Sequence, residues 1–386
     1  MTTILYLHTT SEIGGSDVSL LRLVEGLDRT RYRALVALPA DGPLVPRLTA
    51  AGATVEIMPV LWKLTSRRGV GYLLRFAFHY PRAIAALTRL IRREGVSIVH
   101  TNTIHNLYGV TAARWAGVAH VWHFREIVWQ SGLLRRLELA LARRWSTRIV
   151  VTSRAVAGMY GPERLWPAQL VRVPNGVETS RFTPGDGSRV RADLGVGVAQ
   201  PLVGIVCRLD AWKGVDDFLE AAALAAVADH DAVFVVVGGP IIGQEAYEDA
   251  LKNKARELGL GGRIRFTGWR YQPLDMPDVH RALDILVLAS REPEPFGLVL
   301  LEAMATGKPV IATAHGGPLD IIEDGRTGDL VPPCDARAMA AAIVALLRDP
   351  ARAQRLGAHG RQRVLDHYTA EQYVAGIDAV YRELGA

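Results

Sequence analysis

The sequence contains few of the residues from which disulfide scaffolds and metal sites are built. Its 386 residues include only two cysteines, Cys207 and Cys334, which are too few for a disulfide framework and lack the spacing of a zinc site. No Asp-x-Asp pair follows a predicted strand, and the "DHD" segment at 229–231 precedes one instead. We therefore expect no divalent-metal site. A reducing cytoplasm is the expected compartment.

Long apolar runs are also missing. No run approaches the length that a membrane-spanning helix needs. The opening "MTTILYLHTT" lacks the basic region of a signal peptide and predicts a β-strand. With 49% hydrophobic and 22% charged residues, the composition is that of a globular protein. A chain of this length exceeds a single ordinary core, so two domains are expected.

Short apolar segments alternate with amphipathic helical segments along the whole chain. Predicted strands of the first half are "TILYLH", "RALVAL", "TVEIMP", "SIVHTN", "HVWHF" and "RIVVTS". Those of the second half are "LVGIVC", "AVFVVVG", "RIRFTG", "DILVLAS", "PVIAT" and "GDLVP". Such alternation predicts an α/β protein with two doubly wound parallel sheets, divided near the Pro- and Gly-rich segment Val173–Ser188. Ligands of such sheets bind beyond the carboxyl ends of the strands, which predicts a site in a cleft between the two domains.

A basic segment without any acid runs from Leu61 to Arg93. Its eight cationic residues are Lys63, Arg67, Arg68, Arg75, Arg82, Arg89, Arg92 and Arg93. Its aromatic residues, apart from histidine, are Trp62, Tyr72, Phe76, Phe78 and Tyr80. This composition fits either an ordinary solvated helix face or a surface that contacts an anionic membrane. A nucleic-acid-binding module is a weaker alternative, because the sequence contains no recognisable nucleic-acid motif.

The segment "SREPEPFGLVLLEAMATGKPVIATAHGG", Ser290–Gly317, combines carboxylates with an apolar helical run. Phe296–Met304 has a helical pattern that ends at Gly307. Glu294 stands just before this helix, where it could simply complement the helix dipole, and where free N–H groups would also attract an anion. Glu302 lies inside the apolar helix, so its carboxylate needs a polar partner, and the hydroxyl pair of a ribose is one such partner.

Three further positions combine strand ends with polar or flexible residues. In "CRLDAWKGVDDFL", Arg208 and Lys213 lie between a strand and a helix, which suits a diphosphate. Gly14 and Gly15 follow the first strand and allow close approach of a phosphate to a helix start, although a plain tight turn fits equally well. His123 in "VWHFREI" ends a buried strand, where it fits either a substrate hydroxyl or a core histidine.

These elements together resemble a known enzyme family. The early Gly-Gly loop, "NGV", "RLDAWKG" and "EPFGLVLLEAMATGKPVIAT..GG" resemble the retaining nucleotide-sugar glycosyltransferases of the GT-B fold, specifically family 4. The resemblance covers nearly the whole chain. Its most specific element is the Glu-x7-Glu pair of Glu294 and Glu302, with Glu292 as a competitor for the first position. It implies two Rossmann-like domains that face a central cleft: an acceptor domain over 1–180, a donor domain over 181–365, and a final helix, 366–386, that crosses back to the first domain.

The resemblance also implies a role for each candidate residue. Arg208 and Lys213 would hold the diphosphate and neutralise the leaving group, and Glu302 would accept hydrogen bonds from the ribose hydroxyls. Glu294 would face the donor sugar, and His123 would bond that sugar near its reacting face. The remaining donor contacts would be Gly14 and Gly15 at the phosphate, Gly268 and Trp269 at the nucleobase, and the backbone N–H groups of Phe296, Gly297 and Leu298 at sugar and phosphate.

The activity implied is a retaining, metal-independent transfer from a nucleoside-diphosphate sugar to a hydroxyl of a glycan or lipid-linked acceptor, as in polysaccharide or glycolipid synthesis. No cofactor is expected, because two cations and helix N-termini can stabilise the leaving diphosphate. An epimerase or a phosphorylase of the same fold is the alternative, with Lys308 as the nearest candidate for a pyridoxal lysine. The expected location is cytoplasmic, with peripheral contact to the inner face of the membrane left open.

Overall fold

The computed structural model describes residues 1–62, 70–128, 132–240, 243–271 and 275–385. Contacts divide the chain into two compact units. Unit 1 comprises Met1–Asn175 together with Ala370–Ala386, and unit 2 comprises Gly176–Thr369. The first crossing between the units therefore falls inside the Pro- and Gly-rich segment Val173–Ser188, where the predicted pattern of strands and helices is interrupted.

Unit 1 is built on a parallel sheet of seven strands in the order β3-β2-β1-β4-β5-β6-β7. The strands are β1 (Thr2–Leu7), β2 (Tyr32–Leu38), β3 (Thr54–Ile57), β4 (Val96–Thr101), β5 (Ala119–Phe124), β6 (Arg148–Val151) and β7 (Leu170–Arg172). The helices are α1 (Gly15–Gly26), α2 (Leu44–Ala50), α3 (Val70–Arg93), α4 (Tyr108–Ala116), α5 (Gly132–Trp145) and α6 (Arg154–Ala157), with α15 (Ala370–Glu383) added at the end of the chain. All six strands predicted for the first half are present. The edge strand β7 was not predicted, because two partly buried residues and one exposed residue show no recognisable periodicity.

The two faces of this sheet are covered by different helices. Helices α3, α4 and α5 contribute to one core cluster, whereas α1, α2 and α15 contribute to the cluster on the other face. Helix α15 buries Tyr373, Ile377, Val380 and Tyr381, which recur at helical spacing and so form one apolar stripe. This stripe, together with contacts to α1, places the final helix on unit 1, as the family resemblance implied.

Unit 2 is built on a second parallel sheet, of six strands in the order β10-β9-β8-β11-β12-β13. The strands are β8 (Leu202–Val206), β9 (Val233–Val237), β10 (Ile264–Phe266), β11 (Ile285–Leu288), β12 (Val310–Thr313) and β13 (Asp329–Val331). The helices are α7 (Ser188–Asp193), α8 (Val215–Ala228), α9 (Glu245–Glu257), α10 (Met276–Ala282), α11 (Leu298–Ala305), α12 (Pro318–Ile321), α13 (Ala336–Arg348) and α14 (Pro350–His367). All six strands predicted for the second half are confirmed.

The basic segment of the sequence lies largely on α3. Lys63, Arg67 and Arg68 fall outside the described residues, whereas the other five cations belong to α3. Within the parts of the chain that the structure describes, none of the helices has both the length and the apolarity needed to cross a membrane.

Candidate functional site

A partly buried ion pair joins two of the predicted donor-site residues in unit 2. The ammonium Nζ of Lys213 lies 2.7 Å from Oε2 of Glu294, and their side chains are 19% and 9% exposed. The same Nζ lies 3.9 Å from the ring centroid of Trp212, and the Ser290 hydroxyl donates to Glu294 Oε2 over 2.8 Å. Lys213 is therefore held in one position by a carboxylate and an aromatic face, although 80 residues separate the two charges in sequence.

A glycine brings Lys213 to this position. Gly214 has a left-handed backbone (φ 68°) and turns the chain from the loop after β8 into α8. A Cβ atom at Gly214 would lie 2.0 Å from the carbonyl oxygen of Ala289, so no other residue fits without a backbone shift. The "KG" of the sequence pattern thus has a steric reason.

The glycine pair at the end of the same pattern positions Glu294. The N–H of Gly317 donates to the Glu294 carbonyl over 2.7 Å. A Cβ atom at Gly316 would lie 2.3 Å from the Glu294 carbonyl oxygen, and one at Gly317 would lie 2.2 Å from the Phe296 carbonyl oxygen. The loop after β12 can pack against the Glu294 segment only because both residues lack a side chain.

Helix α11 starts directly after this segment. Gly297 is its N-cap residue with φ 100°, Phe296 is buried, and Leu298 is the first helical residue. Glycine has no side chain with which to cap the helix, and the Leu300 amide donates to the Gly297 carbonyl over 3.0 Å. A helix N-terminus without a capping side chain favours an anion. The start of this helix lies close in sequence to the buried Glu294, because Phe296, Gly297 and Leu298 are the second to fourth residues after it.

The Arg208 side chain is more exposed and less constrained than that of Lys213. Its side chain is 52% exposed, and Nη2 lies 3.7 Å from Oδ2 of Asp210. Cys207 directly follows β8 and precedes Arg208. Burial raises the pKa of its thiol to about 12, while the nearby Lys213 and Arg208 lower it and Glu294 raises it. The predicted diphosphate cations and Glu294 thus surround one strand end, with the guanidinium exposed and the ammonium fixed.

Glu302 has an internal partner that sequence reasoning missed. Its Oε2 lies 3.4 Å from Nε2 of His280, a fully buried residue of α10. This contact is not a hydrogen bond, since neither ring nitrogen of His280 has a hydrogen-bond partner among the described residues. The binding of ribose hydroxyls by Glu302 therefore stays a prediction. No sequence signal links the two residues, because α10 and α11 become neighbours only through packing.

The predicted nucleobase border is an exposed indole over a glycine. Gly268 follows β10 with φ 55°, and Trp269 is 54% exposed. The indole Nε1 donates to the Pro240 carbonyl over 3.1 Å. A Cβ atom at Gly239 would lie 2.6 Å from Nε1, so Gly239 permits the indole to lie against the backbone after β9. Gly239 was not singled out in the sequence, since the "VGGP" segment gives no sign of this long-range contact.

Gly14 and Gly15 lie in unit 1 at the start of α1, and the Gly14 N–H is already engaged. It donates to Asp17 Oδ2 over 2.9 Å, while Oδ1 of Asp17 lies 2.8 Å from His8 Nε2. Burial opposes ionisation of Asp17, but hydrogen bonds from His8, Thr10 and the Gly14 amide lower its pKa overall. A phosphate at Gly14 would have to displace this carboxylate.

His123 lies in the core of unit 1. It is fully buried, its Nδ1 lies 3.3 Å from His100 Nε2 and 3.3 Å from Arg125 Nη2, and its ring is near that of Tyr373 on α15. Burial, followed by the nearby Arg125 and His100, holds the pKa of His123 well below its usual value. Its Nε2 atom is buried without a hydrogen-bond partner in the described part of the chain, so the contact of His123 with the donor sugar stays a prediction.

Arg125, which sequence reasoning passed over, comes directly after β5. Its guanidinium is 7% exposed and donates to Asn102 over 2.8 Å, to Asn175 over 2.5 Å and to the Tyr373 hydroxyl. It therefore links Asn175, the last residue of unit 1 before the chain enters unit 2, to helix α15. The "HFRE" sequence contained this residue, but only the fold shows its partners.

Two alternatives of the sequence analysis can also be placed. Lys308 lies in the turn between α11 and β12, where burial lowers the pKa of its amine. Within residues 1–62, 70–128, 132–240, 243–271 and 275–385, no group of three or more His, Cys, Asp or Glu side chains is arranged to hold a metal ion.

Comparison with known proteins identifies both halves of the chain. Residues 13–181 match the model of Glycosyltransferase Family 4, and residues 188–363 match that of Glycosyl transferases group 1. The chain is 31% identical over 263 residues to the lipopolysaccharide core biosynthesis mannosyltransferase LpsB of Rhizobium meliloti, covering 67% of this chain and 70% of that protein. It is 33% identical over 274 residues to the GDP-mannose-dependent alpha-(1-6)-phosphatidylinositol monomannoside mannosyltransferase of Mycolicibacterium smegmatis, covering 66% and 68%.

Other matches are shorter. The chain spans about half the length of the D-inositol 3-phosphate glycosyltransferases it matches, for example 53% of the one from Nocardia farcinica, with 33% identity over 60% of this chain. Among solved structures, HepE of Anabaena in complex with UDP and glucose has a TM-score of 0.84 at 24% identity, covering 99% of this chain and 100% of that one. Sucrose-phosphate synthase from Thermosynechococcus elongatus has a TM-score of 0.82 at 23% identity, covering 100% and 99%. The predicted GT-B fold is thus confirmed, and the chain belongs to glycosyltransferase family 4.

Proposed function

We propose that this protein transfers a sugar from a nucleoside-diphosphate sugar to a hydroxyl of a glycan or lipid-linked acceptor, with retention of anomeric configuration and without a metal ion. The observation that carries this proposal is the Lys213–Glu294 ion pair beside the start of α11, with Arg208 at the same strand end. The names of the relatives support it, since LpsB is a mannosyltransferase of lipopolysaccharide core synthesis and HepE was solved with UDP and glucose.

The charges of this arrangement suit a departing diphosphate. As the bond between the anomeric carbon and the diphosphate oxygen breaks, negative charge develops on the phosphate, and Lys213, Arg208 and the first amides of α11 would stabilise it. The acceptor oxygen then forms its bond to the same face of the anomeric carbon. Its proton passes to the departing phosphate oxygen, so no side-chain base is needed.

The donor can be identified by ligand-dependent stability. A thermal-unfolding panel of nucleoside diphosphates and nucleotide sugars should show one base and one sugar that raise the unfolding temperature. A ligand at a hundred times its dissociation constant adds about 2.7 kcal/mol to the free energy of unfolding. A panel in which no nucleotide changes the unfolding temperature would contradict the proposed function.

The same donor then tests the stereochemistry and the metal independence. We expect full activity in a chelator and a product whose anomeric configuration, read from its NMR coupling constants, equals that of the donor. The control adds manganese to the same reaction. Activity that disappears in chelator and returns with manganese, or a product of inverted configuration, would show that the proposed mechanism is wrong.

The acceptor side of the proposal includes contact with a membrane. Helix α3 exposes Leu74 (68%) and Phe78 (66%) next to Arg75 and Arg82, and the Arg82 guanidinium lies 4.5 Å from the Phe78 ring centroid. Exposed apolar rings beside cations suit the headgroup boundary of an anionic bilayer, where a lipid-linked acceptor would be presented.

Vesicle co-sedimentation tests this contact. The parent protein should bind anionic vesicles at low salt and dissociate as salt screens the charges. A variant with Arg67, Arg68, Arg75 and Arg82 changed to Gln should bind less. Equal partitioning of parent and variant, or no partitioning of the parent at low salt, would leave the segment as an ordinary solvated face.

A further inference from the structure

Helix α3, which carries the basic segment, shares its face of the unit 1 sheet with two more helices. Helices α3, α4 and α5 contribute to the same core cluster on one face of the unit 1 sheet. Their sequences contain five, one and four arginines, no lysine and a single acid, Glu138. Because Glu138 is fully buried, these three helices expose no carboxylate. Their exposed large apolar side chains are Leu74, Phe78, Trp115, Leu133, Leu137 and Trp145.

This surface contains a cavity between α3 and α4. It has a volume of about 390 Å³ and is lined by Ala85, Thr88, Arg89, Arg92 and Trp115. The four α3 residues recur at the spacing that places side chains on one face of a helix, and the small Ala85 leaves room among them. Trp115, 62% exposed, forms the wall from the last turn of α4, and Arg92 Nη2 lies 3.5 Å from its carbonyl oxygen.

The two cavity arginines carry charge that no acid balances. Within the described part of the chain, neither the Arg89 nor the Arg92 guanidinium has a carboxylate within 4.0 Å, and each donates only to a backbone carbonyl. The neighbouring Arg93, by contrast, pairs with Glu94 over 2.9 Å. Thr88, 7% exposed, lines the same cavity, and its hydroxyl has no hydrogen-bond partner among the described residues.

We propose that this cavity binds the phosphate of an anionic phospholipid headgroup, and this proposal rests on the membrane contact proposed above. Two guanidinium groups supply the forked donors that match phosphate oxygens. The indole of Trp115 is amphipathic and suits the level of the headgroups. Binding of a headgroup in the cavity would thus fix the orientation of the α3–α5 surface on the membrane. Without it, only diffuse charge attraction would hold this surface there.

A charge-matched pair of variants separates a site from diffuse attraction. R89Q/R92Q removes two cations from the cavity, and R75Q/R82Q removes two exposed cations from the same helix. Both are compared with the parent in binding to vesicles of phosphatidylcholine with phosphatidylglycerol. Two surface arginines account for up to about thirtyfold in partitioning. We expect vesicle partitioning to fall about tenfold more in R89Q/R92Q than in the control R75Q/R82Q. In W115A, which changes no charge, we expect it to fall about fivefold.

The outcomes distinguish the two proposals. Equal losses in the two arginine variants, with full binding by W115A, would overturn the cavity and leave the membrane contact standing. A parent that does not bind vesicles at low salt would overturn both. Inorganic phosphate that protects the parent but not R89Q/R92Q from thermal unfolding, without any vesicle binding, would assign the cavity to a free phosphate and overturn the lipid. All substituted residues are exposed, so unchanged unfolding temperatures and donor hydrolysis in R89Q/R92Q confirm that its fold is intact.

Discussion

At the scale of single residues, the two glutamates of the Glu-x7-Glu pattern have different surroundings. Glu294 is bound by Lys213 and Ser290, whereas Glu302 lies 3.4 Å from the buried His280. The spacing in sequence places both on one segment, but it does not show that one belongs to an ion pair and the other to an imidazole. The roles that the family resemblance implies can therefore be tested separately for each carboxylate.

For Glu302 we predict a loss of nucleotide affinity. If the carboxylate accepts hydrogen bonds from the ribose, Glu302→Gln should weaken binding of free nucleoside diphosphate by about 10- to 100-fold, because a hydrogen bond to a charged group contributes about 1.5–3 kcal/mol. Isothermal titration gives the affinity, and His280→Gln is the control that changes the internal partner only. Parent-like affinity in Glu302→Gln would mean that the carboxylate serves only to pair with His280.

For Glu294 we predict a defect in transfer instead. Glu294→Gln keeps an acceptor for the Ser290 hydroxyl but removes the charge that fixes Lys213. We expect affinity for free nucleoside diphosphate to change little and kcat to fall about a hundredfold, since preorganised charge acts mainly in the transition state. The measurement is steady-state kinetics alongside titration. A variant that loses nucleotide affinity with unchanged kcat would contradict this assignment.

At the scale of elements, the loops that follow the strands of unit 2 depend on glycines at close backbone contacts. Gly316 has φ 78°, and its missing side chain leaves room for the Glu294 carbonyl. Gly325 has a similar φ of 69° but has no atom within 4 Å of the position of a Cβ. The two glycines therefore separate the cost of the backbone conformation from the cost of the contact.

We predict different effects of alanine at these two positions. Gly325→Ala should lower the free energy of unfolding by about 1 kcal/mol, the cost of a left-handed backbone. Gly316→Ala should cost about 2–3 kcal/mol, because the chain must also shift, and it should reduce transfer by moving Glu294. Urea unfolding and kcat measure the two effects. Equal stabilities and equal activities would show that the contact at Gly316 is unimportant.

At the scale of the whole molecule, unit 1 carries a group of buried histidines. His100, His120 and His123 are at most 1% exposed. Burial lowers the pKa of His120 to about 3, and burial with the nearby Arg125 holds the pKa values of His100 and His123 well below their usual range. In the unfolded chain these imidazoles regain a pKa near 6.5. Below that pH the unfolded state binds more protons than the folded state.

This difference predicts an acid-sensitive unit 1. The free energy of unfolding should be level above about pH 6.5 and fall as the pH decreases, by up to about 1.4 kcal/mol per pH unit for each of the three histidines. Urea unfolding between pH 7.5 and 5.5 measures the slope before most carboxylates titrate. His120→Gln should reduce this slope by the contribution of one histidine, up to about 1.4 kcal/mol per pH unit. A free energy of unfolding that does not change over this range would contradict the buried, neutral state of these residues.

Local sequence patterns predicted the two parallel sheets, twelve of the thirteen strands and the segments that carry Arg208, Lys213, Glu294 and Gly297. Apolar periodicity and glycine positions are local properties, so they can be read along the chain. The strand β7 was not predicted, because a three-residue edge strand is too short to show a recognisable pattern.

Which side chains meet depends on the tertiary structure. It brought Lys213 to Glu294 and Glu302 to His280, and it buried His123 near Tyr373 of α15. It also placed α4 and α5 beside α3, which turned one basic segment into a three-helix surface. The physical reason is the same in each case: these partners are far apart in sequence, and they come together because elements pack to bury their apolar faces, which brings their polar side chains into contact.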